Sequence, residues 1–197
     1  MRRPPPFPAS ATLLFVLLLL ARPAAAQDTP AAQDTPAAQD TAAARAQDVE
    51  SIDAVIAALY DVISGPAGEK RDWQRFHSLF VPGARLIPTG VTPEGAVRHR
   101  MMTPEEYVTR SGPVLEERGF FEREIGRTTE QFGNIAHVFS AYDSRNTAED
   151  AEPFARGINS IQLLHDGTRW WVVTILWDSE RAGNAIPERY LRPDGGT

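Results

Sequence analysis

Imidazole is the side chain that exchanges a proton near neutral pH, so the four histidines, His77, His99, His137 and His165, come first. None forms an HxH, HExxH or His–carboxylate pattern that would put ligands on one face, and no metal is expected. His77 follows Trp73 by one helical turn, on or beside a buried stripe, and His137 alternates with Ile135 and Phe139 along a strand-like run. In either place an imidazole is a pocket acid–base group or a hydrogen-bonded part of the core. Nucleophilic hydrolysis has no agent: the chain has no cysteine and no GxSxG elbow. "SGPAGEK" at 64–70 lacks the spacing and the hydroxyl residue of a phosphate loop, and no cofactor is expected.

Three of the four tryptophans, Trp170, Trp171 and Trp177, fall within "RWWVVTILWDSE". Asp166–Gly167 just before it signals a two-residue type I′ hairpin. That turn would pair Leu163 with Trp170, Ile161 with Val172 and Asn159 with Thr174 on one face. The other face would pair Gln162 with Trp171 and Arg156 with Trp177. Both faces are then substantially apolar, so both are covered. The first is placed inside, where Asn159 and Thr174 either bond to a helix or line a pocket with Trp73 and Trp170. The second, Arg156, Gln162, Trp171 and Trp177, has the composition of an interface and is assigned to a homodimer. The alternative is that a terminal segment such as "IPERYL" covers it within one chain.

These residues sit in a chain that reads helices first and long strands last. Ile52, Val55, Ile56, Leu59, Val62 and Ile63 recur at helical spacing behind Ser51 as cap. "RDWQRFHSLF" is a second helix capped by Asp72, and "TPEEYVTRSGPVLEERG" a third, capped by Thr103 and expected to break at Ser111–Gly112–Pro113. "ARLIP" and "AVRHRM" read as short strands. "FFEREIGRTTEQFG", "NIAHVFSAYDSR", "ARGINSIQLLH" and "TRWWVVTILWD" read as long ones. The expected class is α+β, a curved, mostly antiparallel sheet wrapped around about three N-terminal helices.

Arg2 and Arg3, the apolar run at 13–20 and Ala24–Ala26 have the form of a cleaved signal peptide over 1–26. An AAQDTP-repeat linker over 27–47 follows, with a domain over 48–191 and a flexible tail over 192–197. The expected location is periplasmic or secreted, with no stable membrane association after cleavage. Loss of 1–26 takes three arginines and no acid, changing the formal charge from −6 to −9. With no basic run to compensate, nucleic acid is excluded as a partner.

"RDWQRFHSLFVPGARL" and the terminal "HDGTRWWVV", in this order of elements, resemble the nuclear transport factor two-like superfamily, which includes SnoaL-like proteins, ketosteroid isomerase and scytalone dehydratase. The resemblance covers 48–191 and is closest to secreted bacterial members of unassigned activity. It implies a cone whose open end is a pocket and whose outer sheet face often forms a homodimer. Tyr60 is placed like the oxyanion tyrosine of the isomerase. Arg85 stands where its proton-moving acid would be, and Asp178 is near the rim, so that mechanism does not carry over. The dehydratase pattern of two histidines, a tyrosine and an aspartate has His77, His137, Tyr60 and Asp61 as counterparts by type, with Asp61 expected to face solvent. The expected function is binding of a small apolar molecule, or a dimeric scaffold. The alternatives are an acid–base lyase or isomerase using Tyr60, His77 and His137, and a protein-interaction module using the outer face.

Overall fold

The computed structural model describes residues 43–191. The expected signal peptide, most of the repeat linker and the tail from 192 lie outside the described residues. Four helices, α1 (Ala46–Val49), α2 (Ile52–Ile63), α3 (Trp73–Ser78) and α4 (Pro104–Arg118), pack with six strands. These are β1 (Phe80–Val91), β2 (Val97–His99), β3 (Phe121–Phe132), β4 (Ile135–Arg145), β5 (Ala155–His165) and β6 (Trp170–Ser179). The strand order is β2-β1-β6-β5-β4-β3, with β1 and β6 parallel and every other pair antiparallel. The class is α+β, as expected.

The caps behave as their residue types dictate. Ser51 Oγ accepts from Ala54 N and Asp72 Oδ1 from Arg75 N, and Thr103 with Glu106 forms a reciprocal capping box. α4 runs unbroken through Ser111–Gly112–Pro113. Trp73 explains the glycine: a Cβ at Gly112 would stand 3.1 Å from the indole. Ordered contacts also begin before residue 48. Arg45 pairs with Asp72, and Asp48 is buried with Arg75 clamped on its carboxylate at 2.7 and 3.0 Å. That guanidinium holds the Asp48 carboxyl below its ordinary range.

The β5–β6 hairpin departs from its expected register. Its loop is four residues, Asp166–Arg169, because the Asp166 carboxylate accepts from both Thr168 N and Arg169 N and closes the turn with its own side chain. His165 faces Trp170, Leu163 faces Val172 and Gln162 faces Thr174, so Val173 is a bulged residue on β6. Beyond the bulge the parity of β6 reverses. Ile161 faces Ile175, and Asn159 faces Trp177.

Two placements change. Trp177 lies on the interior face instead of the outer one. Thr174, opposite Gln162, lies outside instead of in the pocket, on the same face as Leu176, which is opposite Ser160 and 40% exposed. Trp170 and Val172 remain in the core with Val138, Ile161 and Leu163.

After β6 the chain turns back over the outer face. Glu180 N donates to Arg156 O, the Glu180 carboxylate accepts from Ile186 N, and Tyr190 lays its ring on Phe139 at 4.8 Å. Gly126 seats this strap, since a Cβ there would stand 2.5 Å from the Tyr190 carbonyl oxygen.

Candidate functional site

The interior face of the sheet, α2 and α4 enclose a largely apolar cavity of about 280 Å³. Leu59, Tyr60 and Ile63 come from α2, and Tyr107, Ser111 and Leu115 from α4. The sheet supplies Leu86, Glu122, Tyr142, Ser144, Asn159, Ile161, Ile175 and Trp177.

Glu122 is the only acid among these side chains, and none of them is a base. Its position is fixed from two sides. Ser64, the C-cap of α2, accepts from the Glu122 amide at 3.0 Å and donates back to Tyr60 O at 2.7 Å, docking the start of β3 on the end of α2. The carboxylate accepts from Ser144 Oγ at 2.8 Å across the β3–β4 ladder. Burial raises its pKa to about 7, against the opposing hydrogen bonds of Ser144 and Asn159, with a smaller push upward from the Asp143 charge. No Lys, Arg or His pairs with Glu122 among the described residues. The nearby Arg123 and Arg145 are both taken by Asp143, at 3.0 Å each.

Beside it runs a chain of hydrogen bonds whose direction chemistry fixes. Asn159 Nδ2, a donor only, gives to Tyr60 Oη at 3.2 Å. Ser140 Oγ gives its proton to Glu124 Oε1 at 2.6 Å. The 2.7 Å bond between Tyr60 and Ser140 must therefore carry the Tyr60 proton. Tyr60 is fully committed and buried, and burial pushes its phenol well above its ordinary pKa. Tyr107 is different. Its ring stacks on Phe76 at 5.5 Å and meets Trp177 edge-on at 6.4 Å, while its hydroxyl has no hydrogen-bond partner among the described residues.

Of the residues singled out in the sequence, Tyr60 and Asn159 meet at the cavity. His77 does not line it: its Nε2 is 3.1 Å from Glu105 at a partly exposed site. His137 lies on the outer face, opposite Gln162, with Nε2 3.0 Å from Ser160 Oγ. Asp61 is exposed and paired with Arg75. Trp73 sits beside the cavity, donating its indole N–H to Glu116 at 2.8 Å. That carboxylate also takes Lys70 and the Arg71 amide, which hold its pKa down to about 2. Trp170 packs edge-on against His165 in the core. On the outer side Trp171 is covered by its own chain, with Arg169 stacked at 3.6 Å and the indole N–H on Asp166 at 2.6 Å. Arg156 pairs with Glu180 of the strap, and Gln162 is exposed.

Glu122 and Tyr107 escaped the sequence reading. The signal available for Glu122 was its shared parity with Glu124 on β3, which does not say which face of the strand is covered.

No known family's sequence profile matches the chain, and no curated protein does. Solved structures do. A protein of unknown function with a cystatin-like fold from Nostoc punctiforme aligns over 72% of this chain and 97% of its own, at 12% identity and a TM-score of 0.51. The chain has a cystatin-like fold. A nuclear transport factor two-like protein of unknown function from Shewanella baltica aligns over 64% of this chain and 89% of its own (14% identity, TM-score 0.43). For a putative ketosteroid isomerase from Parabacteroides distasonis the shares are 73% and 98% (12% identity, TM-score 0.46). At these identities the likeness speaks for the fold; function has to come from the site.

Proposed function

We propose that this domain binds a small, largely apolar molecule in the cavity between α2, α4 and the sheet, with one polar group of the ligand on Glu122. The observation behind this is a single carboxyl, without a cationic partner among the described residues, in a largely apolar pocket large enough for a compact ring system. Native mass spectrometry of the protein purified from its own cells tests it. Retained small-molecule mass in the wild type, lost in Ser111→Phe, supports the proposal. No retained mass, or the same mass in both proteins, counts against it.

A second use of the site is proton transfer on an enolisable substrate, favoured by Glu122 titrating near neutrality and by Tyr107, which lines the same pocket and whose hydroxyl has no hydrogen-bond partner among the described residues. Tyr60 would then be a positioning residue, its proton being held by Ser140. Deuterium exchange into 2-indanone, followed by NMR, checks this: Glu122→Gln should abolish any rate above buffer.

Secretion belongs to the same proposal, with 1–26 as the cleaved signal. N-terminal sequencing of the mature protein tests it, and an intact Met1 would contradict it.

A further inference from the structure

Six side chains of the cavity wall are aromatic: Tyr60, Phe76, Tyr107, Phe120, Tyr142 and Trp177. The wall carries one acid and no base. The faces of such rings are electron-rich and attract cations, most strongly where water is excluded. A carboxylate drawn out of water is costly where hydrogen bonds such as that of Ser144 are its only compensation, and an opposite charge delivered by a ligand offsets that cost.

Every other charged group around Glu122 leaves this need unmet. From β4, Asp143 adds a like charge that Arg123 and Arg145 already offset. From α2 and α4 come only the neutral phenols of Tyr60 and Tyr107, and from β4 and β5 the phenol of Tyr142 and the amide of Asn159. Glu124 is engaged by Ser140.

Given that the cavity is a ligand site, as proposed above, we infer that its ligand is an organic cation: a compact apolar skeleton bearing one protonated amine. The ammonium sits on the Glu122 carboxylate, and the skeleton lies among Tyr107, Trp177 and the neighbouring rings. A neutral molecule of the same shape gains the apolar contacts and leaves the carboxyl alone; an anion meets like charge. Binding of the cation also requires Glu122 to be ionised. Affinity should therefore fall by up to about tenfold for each pH unit below the carboxyl's pKa in the free protein.

Calorimetry at pH 8 with 2-aminoindane, 2-indanol and indane-2-carboxylate, one skeleton with three charges, tests this on the mature protein. The amine should bind more than tenfold more tightly than the alcohol, and the carboxylate should not bind. The amine's advantage should vanish in Glu122→Gln, with near-ultraviolet circular dichroism confirming that the variant is folded. An alcohol or carboxylate that binds as well as the amine overturns the cationic ligand and leaves the cavity as a binding site. An amine preference that survives Glu122→Gln overturns the role of that carboxyl. Failure of all three to bind the wild type contradicts the cavity reading itself, and the cation with it.

Discussion

Trp177 stands directly opposite Asn159 on the interior face of the sheet, and it does so because Val173 bulges out of β6. One extra residue carries an indole from the outside of the domain to the wall of its cavity, against Tyr107. Trp177→Ala should cost up to about 3 kcal/mol by urea unfolding, the low end of the range for a fully buried aromatic, because Trp177 is partly buried. It should also weaken any cavity ligand. A cost below about 0.5 kcal/mol would mean the indole is not packed as described.

Glu122 gives stability a pH dependence of defined sign. Its folded-state pKa is raised from 4.5 to about 7, so between those values the folded chain holds a proton that the unfolded chain has released. Stability is therefore greatest below about 4.5 and is lost as pH rises towards 7. Glu122→Gln removes this loss. It should be nearly neutral at pH 4.5 and stabilising at pH 8. The upper limit is about 3 kcal/mol, from roughly 1.4 kcal/mol for each pH unit between the two values, reduced by whatever water reaches the carboxyl from the cavity. Urea midpoints at the two pH values provide the check; equal effects at both would contradict it.

The polar chain from Asn159 through Tyr60 and Ser140 to Glu124 should behave as one unit. Tyr60→Phe and Ser140→Ala each strand a buried partner and should cost about 1–3 kcal/mol. The double variant should cost less than their sum, because the second substitution removes a group that the first had already left unmatched. Additive losses in a double-mutant cycle would show that Tyr60 and Ser140 are not coupled as described.

Much of this was legible in the sequence. The caps at Ser51, Asp72 and Thr103 and the long C-terminal strands follow from local chemistry and periodicity. What failed was parity. Nothing local marks Val173 or Ile125 as the residue where a ladder slips, yet each slip decides which side chains of β6 and β3 turn inward. Glu122 and Glu124 share one face of β3, and alternation records that the two faces differ, not which one is covered. The turn at Asp166 misled in the same way. Asp–Gly signals a two-residue loop, and the aspartate side chain instead caps a loop of four.

Gly126 is the seat of the C-terminal strap. Gly126→Val should lift residues 186–191 from the outer face. Amide exchange there should rise by at least tenfold, while the sheet interior stays protected. Unchanged exchange would show that the strap is held elsewhere.

With Trp177 turned inward and Trp171 covered by Arg169, the outer face keeps one open apolar row at its end. It is formed by Phe132 and Ile135, 85% and 60% exposed, with Leu164 beside them. If the chain forms a homodimer, this row is where it should form. Light scattering should then show a dimer that Phe132→Ser with Ile135→Ser converts to monomer. A dimer indifferent to both substitutions would place the interface elsewhere.

The central claim is that one part-buried carboxyl, without a charged partner among the described residues, governs the cavity, and its titration tests that claim most directly. Carbon-13 NMR of the glutamate carboxyls, with the Glu122 resonance assigned by its absence from Glu122→Gln, gives the pKa of that group alone. A midpoint near 7 is the predicted result. A midpoint near 4.5, the value of a glutamate in water, would contradict the account.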